Sequence, residues 1–420
     1  MKIRIGTLLL ACVAIVIPAA AQTPEFETLV SFKGGADGNT PAGALVESGG
    51  TFYGTTAAGG GSTACTNGCG TVFSLTPPAS PGGAWTGNTI YAFSGVADGW
   101  FPAGGLTVGS GGVLYGTTED GGTSNRGTVF LLTPPAAGGP WQKTVLHNFA
   151  GGADGSHPTA TLAMGSQGEL YGATSTGGSA NAGTVFAMIP PGPSGGRWAK
   201  QLLYTFAGGA DGSTPTQALA IDADSAEIYG TTRNGGTQNY GTAYSLTPPA
   251  SPGGAWTQAA IYSFTDANDG AYPNGLLLGA GGVLYGTTSG HMDQGTAFAL
   301  EPPASPGGHW VLKVLHDFEG DFVDGSFPKA GLVAGKGGVL YGTTAGGGND
   351  ENCSCGTIFS LTPPAAPGGS WTEQMLYVFA PPNGVGPQAP LLYRENGAFY
   401  GTTGGGGHVG DGTAFVLKLE

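Results

Sequence analysis

Residues 114–158 read LYGTTEDGGTSNRGTVFLLTPPAAGGPWQKTVLHNFAGGADGSHP, and the rest of the chain is largely variation on this line. The stretch contains three short apolar runs rich in Tyr, Phe, Val, Leu and Thr, set apart by Gly, Pro, Asp and Asn. A fourth run, Gly105-Leu106-Thr107-Val108, stands just ahead of it. These are strand and turn compositions, and no sustained 3.6-residue apolar period interrupts them. We label the strands A (Leu-Tyr-Gly-Thr-Thr), B (Gly-Thr-Val-Phe), C (the run ending in Phe) and D (the Leu-Val run after Asp-Gly-x-x-Pro).

Working outward, the aromatic-Gly-Thr-Thr marker recurs at Tyr53, Tyr115, Tyr171 (as Tyr-Gly-Ala-Thr), Tyr229, Tyr285, Tyr341 and Tyr400, at separations of 56 to 62 residues. Six copies carry a Pro-Pro loop ending in Trp85, Trp141, Trp198, Trp256, Trp310 or Trp371. Asp-Gly-x-x-Pro recurs from Asp37 to Asp324, with Asn383 in the last copy. The 83 glycines and 30 prolines would suggest disorder in an aperiodic chain, but here they punctuate seven copies of one unit. A lone four-stranded sheet leaves an apolar face wet, whereas sheets packed around an axis bury both faces. The fold expected is therefore all-β, a seven-bladed β-propeller with four antiparallel strands per blade. With blades running A-B-C-D, the closing blade would take A and B from the C-terminus and C and D from the N-terminus. The Gly after each marker Tyr would suit an innermost strand crowded at the axis.

Residues 1–21 read as a signal peptide: Lys2 and Arg4, an apolar stretch from Ile5 to Ile17, then Ala19-Ala20-Ala21 before cleavage. A lipoprotein box ending at Cys12 is the rival reading. Residues 22–420 then form one propeller domain, secreted, periplasmic or at the cell surface, monomeric and without a membrane span. Net charge is −14, and a more negative mature chain repels nucleic acid and anionic membrane.

Leu-Tyr-Gly-Thr-Thr, Gly-Thr-Val-Phe-x-Leu-Thr-Pro and Tyr-x-Phe with Asp-Gly together resemble the GloVer tandem repeat of choice-of-anchor bacterial proteins. The resemblance covers residues 25–420 and implies an exported bacterial protein; it supplies no catalytic residues.

In an up-and-down blade the A–B and C–D connections share one face, and the B–C and D–A connections share the other. The Pro-Pro…Trp loops are nearly identical among copies, which points to blade packing. The other face varies. Its Asp-Gly-x-x-Pro segments carry Trp100, Phe101, His157, Tyr272 and Phe327, aromatic groups beside Asp and Asn. Such a surface suits sugar, whose C–H groups pack on rings while polar groups take its hydroxyls; the plainer reading is that these rings fill gaps between blades.

His147 and His316 stand where other copies have Tyr, so they read as structural substitutions. No metal-ligand spacing, phosphate loop or nucleophile elbow is present, so neither a metal nor a cofactor is expected. The Asp of Asp-Gly reads as a turn residue bonding its own backbone. The expected function is non-enzymatic binding or scaffolding outside the cell, with a glycan or a surface protein as partner. A polysaccharide-acting hydrolase or lyase, and a structural matrix protein, are the alternatives.

Cys65/Cys69 and Cys353/Cys355 lie in equivalent A–B loops of two copies, and an exported protein oxidises such pairs. Local bridges are the favoured pairing and a shared zinc site the alternative. Intact-mass analysis after alkylation without reductant should show no modified cysteine; two or more alkylated cysteines would refute full oxidation.

Overall fold

A computed structural model describes residues 24–419 except 81, 137, 252, 291–293, 306, 321–322, 349–352 and 367. The leader and Cys12 lie outside the described residues. Seven antiparallel sheets of four main strands form a seven-bladed propeller, and helix among the described residues is confined to three-residue 3-10 turns. Blades are numbered one to seven by their marker tyrosines.

Strand order within a blade differs from the expectation. In blade two the sheet runs Thr107–Val108 (D), Leu114–Thr118 (A), Thr128–Thr133 (B), Gln142–Asn148 (C). The reason is local: the Gly-rich turn at 109–112 folds D back on A as a hairpin, with Gly109 N–H donating to Val113 C=O. D is thus the innermost strand. Closure follows the same logic. Leu392–Tyr393, Ala398–Thr403 and Thr413–Lys418 supply D, A and B of blade seven, and the N-terminal Glu25–Ser31 supplies only C. The ring closes three strands to one, not two to two.

The glycine after the marker Tyr also has another cause. It sits in the second strand, where a Cβ on Gly116 would come 2.6 Å from the Phe130 ring that folds over it from strand B. The close approach at the axis falls instead on the segments leading into the inner strands, where a Cβ on Gly104 would meet the Ala160 carbonyl at 2.8 Å.

The two threonines of the marker have separate tasks. The second joins A to B in every blade, as in Thr118 Oγ1 to Thr128 Oγ1 at 2.8 Å. The first reaches the next blade: Thr55 donates to Gly104 C=O (2.9 Å), Thr231 to Asn274 C=O (3.1 Å) and Thr287 to Ala330 C=O (2.8 Å). Thr117 and Thr402 do the same. Blade three has Ala173 at this place, and in blade six the Thr343 hydroxyl is buried without a partner.

Every B–C pairing carries one bulge, for instance between Val145 and His147. It inserts one residue and so switches which face the alternate side chains of strand C occupy. Before the bulge, Trp141 meets Tyr53 of the preceding blade (5.6 Å) and Lys143 reaches that blade's Asp98 (2.8 Å). After it, Phe149 meets Phe186 of the following blade at 5.2 Å, edge to face. One strand therefore serves both interfaces. The same edge-to-face pair recurs at all seven interfaces, with centroids 4.9 to 5.3 Å apart.

His147 and His316 act as their Tyr equivalents do. Tyr91, Tyr204 and Tyr262 donate to the Asp seven residues on, and His147 Nε2 and His316 Nε2 lie 3.0 and 2.6 Å from Asp154 and Asp324. The Asp bonds its own local backbone, as its turn composition implies. It reaches back, accepting the N–H four residues earlier, as Asp98 does from Ser94 (2.8 Å) and Asp154 from Ala150 (2.7 Å).

The side chain that the next blade presents to this Asp differs from copy to copy. Lys143 and Lys200 pair with it, Phe26 stacks on the Tyr377 ring at 3.8 Å, and Glu373 faces Asp324 and His316. Burial pushes the Glu373 carboxyl up to about 7, with the Asp324 charge adding to the rise and His316 opposing it, and Glu373 Oε1 has no hydrogen-bond partner. Since the folded value lies above the unfolded one, the group's contribution to stability is present in acid. It is lost as pH rises from about 4.5 through 7. Glu373→Gln should therefore melt increasingly above the wild type between pH 5 and pH 8, measured by calorimetry; a pH-independent difference would contradict the assignment.

Candidate ligand-binding face

The Asp-Gly-x-x-Pro segment crosses from strand C of one blade to strand D of the next and lies against the A–B loops. In blade two Trp100 and Asp120 exchange backbone hydrogen bonds (3.0 and 3.2 Å), and the Phe101 carbonyl accepts from Glu119 N–H (3.0 Å). Phe101 N–H donates to Cys69 C=O of blade one at 3.0 Å. The second x residue thus ties two blades together through its backbone.

It does so in a left-handed conformation: φ is 59° at Phe101, 57° at His157, 61° at Thr214, 58° at Tyr272 and 54° at Phe327. Thr40 shares it, and the last copy uses Gly386. A residue before proline is disfavoured there twice over, by its own Cβ and by the proline ring. The interblade hydrogen bonds hold it in place.

The five residues singled out from sequence do not share one patch. Trp100 is half-buried in a cleft of about 570 Å³ between blades one and two, together with Val96, Thr66, Thr123 and Asn125. Its Nε1–H donates to Asn125 Oδ1 (3.2 Å), and the Cys65–Cys69 disulfide braces the cleft wall. The second pair, Cys353–Cys355, is also bonded within its own loop. Three equivalents of Trp100 are small and buried, Ser156, Ala271 and Ser326, in a space too small for an indole.

Phe101 points the other way and lines a cavity on the propeller axis. His157 Nδ1 lies 3.1 Å from Asp120. Burial, then the Asp120 charge, pushes the neighbouring Glu119 carboxyl upward, with His157 opposing. Tyr272 lies under the Arg233 guanidinium at 5.0 Å and edge-on to Tyr240 at 6.2 Å, while Phe327 is 41% exposed.

The axial cavity, about 500 Å³, escaped the sequence reading. The residues following each Asp-Gly-x-x-Pro, among them Thr159, Asn274, Lys329 and Gln388, converge there with residues following Tyr-Gly-Thr-Thr, such as Arg233 and Ser289. Aligning the residue after each fixed motif would have put them in two columns. That the columns meet at one point is a property of the closed ring.

The family model of the Gloeobacter/Verrucomicrobia repeat matches residues 15–139, 61–299 and 221–420. The chain belongs to this family. No curated protein matches it. Among solved structures, the extracellular domain of a candidate one-component system of B. thetaiotaomicron is 12% identical with a TM-score of 0.54, over 94% of this chain and 42% of that one. A candidate 6-phosphogluconolactonase from Bacteroides uniformis is 16% identical (TM-score 0.51; 80% of this chain, 83% of that). The periplasmic gluconolactonase PpgL of Pseudomonas aeruginosa is 18% identical (TM-score 0.51; 80% and 85%). At these identities the likeness is one of fold.

The strained position offers a direct test. A β-branched residue at positive φ costs about 1–2 kcal/mol that glycine avoids. That gain is reduced by the freedom of glycine in the unfolded chain and by loss of the Asn234 Nδ2–H bond to Thr214 Oγ1 (3.3 Å). Thr214→Gly should therefore raise stability by no more than about 0.5 kcal/mol in urea unfolding. A loss of stability would show that the Thr214 side chain contributes more than its backbone strain removes.

Proposed function

We propose that this Gloeobacter/Verrucomicrobia repeat protein is an exported, non-enzymatic binding propeller that recognises glycan on the face carrying the A–B loops. The observation that carries the reading is the Trp100 cleft. A half-exposed indole stands beside the hydroxyls of Thr66, Thr123 and Ser124 and the amide of Asn125, in a recess of about 570 Å³. Its orientation is set in advance by the hydrogen bond to Asn125, so little side-chain entropy remains to be lost on binding. A sugar ring packed on the indole face would exchange its hydroxyl hydration for these side chains. Disulfides in two loops of the same face support export, since such bonds persist in oxidising compartments. Binding is favoured over hydrolysis because glycoside hydrolysis commonly uses two facing carboxylates, and the described linings of the Trp100 cleft and of the axial cavity hold none.

A glycan array probed with the purified chain should yield a bound class. Trp100→Ala should then weaken binding by about 1–3 kcal/mol with the melting temperature little changed. Trp256 is the control: it packs edge-on against Tyr171 at 6.4 Å on the opposite face. Being half-exposed, its loss should cost about 2 kcal/mol of stability, less than a fully packed ring, and leave affinity alone. If Trp100→Ala destabilises the fold as much as Trp256→Ala and every glycan is still retained, Trp100 is a packing residue.

A further inference from the structure

We propose that the axial cavity is a second, separate site, for a small polyhydroxylated anion: a sugar carrying a carboxylate or a phosphate. The proposal goes beyond the glycan cleft and stands without it, because it rests on different residues and a different charge.

The chain has a net charge of −14, yet the only charged side chains in the described lining of this cavity are Arg233 and Lys329. Neither is paired with a carboxylate among the described residues. With two cations and no carboxylate, the described lining is positive within an acidic protein, so an anionic occupant would gain from both. Their positions are prepared. Arg233 lies over the Tyr272 ring at 5.0 Å, and the Tyr272 backbone is bonded on both sides, to Tyr240 C=O at 2.9 Å and from Ser289 N–H at 3.1 Å. Lys329 follows Pro328, whose carbonyl accepts the buried Asn274 Nδ2–H at 2.6 Å.

The remainder of the lining fits the body of a sugar. Gln217, Gln388 and Thr159 offer amide and hydroxyl groups, and Phe101 offers a ring. The volume of about 500 Å³ is the size of a small-ligand pocket rather than of a polymer groove. A guanidinium and an ammonium suit either anion: the planar fork matches carboxylate or phosphate, and the ammonium acts as a point charge.

Isothermal titration with the full chain tests this with galacturonate and glucose 6-phosphate, against galactose and glucose as neutral partners and inorganic phosphate as the bare anion. At least one charged sugar should bind about tenfold more tightly than its neutral partner and than phosphate, and weaken as salt is raised. Which arm binds identifies the anion. Arg233→Gln and Lys329→Gln should each lower affinity about tenfold; both side chains are exposed, so unchanged melting temperatures are expected and would be measured. Trp100→Ala should leave this titration unaltered, which separates it from the glycan cleft. The proposal is overturned if neither charged sugar binds at about 10 mM, a concentration above the range of ordinary weak sites. It is equally overturned if neutral sugar or bare phosphate binds as well as the charged sugar, or if the Arg233→Gln/Lys329→Gln double variant binds undiminished.

Discussion

At each of the seven blade interfaces the phenylalanine that ends strand C meets, edge to face, an aromatic ring on strand B of the next blade. Phe32 on Phe73 and Phe379 on Phe415 are the pairs on either side of the closing blade, and both match the others in geometry. Rings of this kind contribute roughly 0.5–1.5 kcal/mol beyond the area they bury, and here all of them are buried. The rest of the architecture depends on this contact. It requires strand C to face forward at its end while its beginning faces backward, and the bulge in every B–C pair makes that possible. It also requires glycine opposite, since the strand B ring lies over the glycine of the marker.

The interblade contacts are layered by chemistry. Near the axis, marker threonines donate to backbone carbonyls of the next blade. At mid-depth the aromatic pairs exclude water. Toward the face carrying the A–B loops, Tyr or His bonds to Asp and meets a side chain from the neighbouring blade. That outermost position is where the copies differ most: Lys143, Lys200, Glu373 and Phe26 each answer the same Asp or Asn pocket with different physics. The ring accommodates such variation because the aromatic pair recurs at every interface beneath it.

The two candidate sites arise from the same segment. In blade two Asp-Gly-x-x-Pro places its first variable residue, Trp100, in the cleft between blades and its second, Phe101, on the axial cavity. The left-handed backbone at the second residue produces this divergence. Trp100 and Phe101, adjacent in sequence, consequently serve different cavities.

Copy number, strand content, the assignment of loops to two faces and the local pairing of cysteines were all legible in the chain, because motif spacing, turn chemistry and short-range geometry determine them. The His-for-Tyr exchange at positions 147 and 316 was legible as structural for the same reason: the repeat supplies its own comparison. Strand order, the three-to-one closure and the reason for the marker glycine were not. They depend on which strands pair as hairpins and on what lies across the sheet, and alternation along one strand carries no information on either. That Arg233 and Lys329 line one cavity was decided by tertiary structure alone, since residues almost a hundred positions apart come to face the same space only when seven inner strands close around one axis.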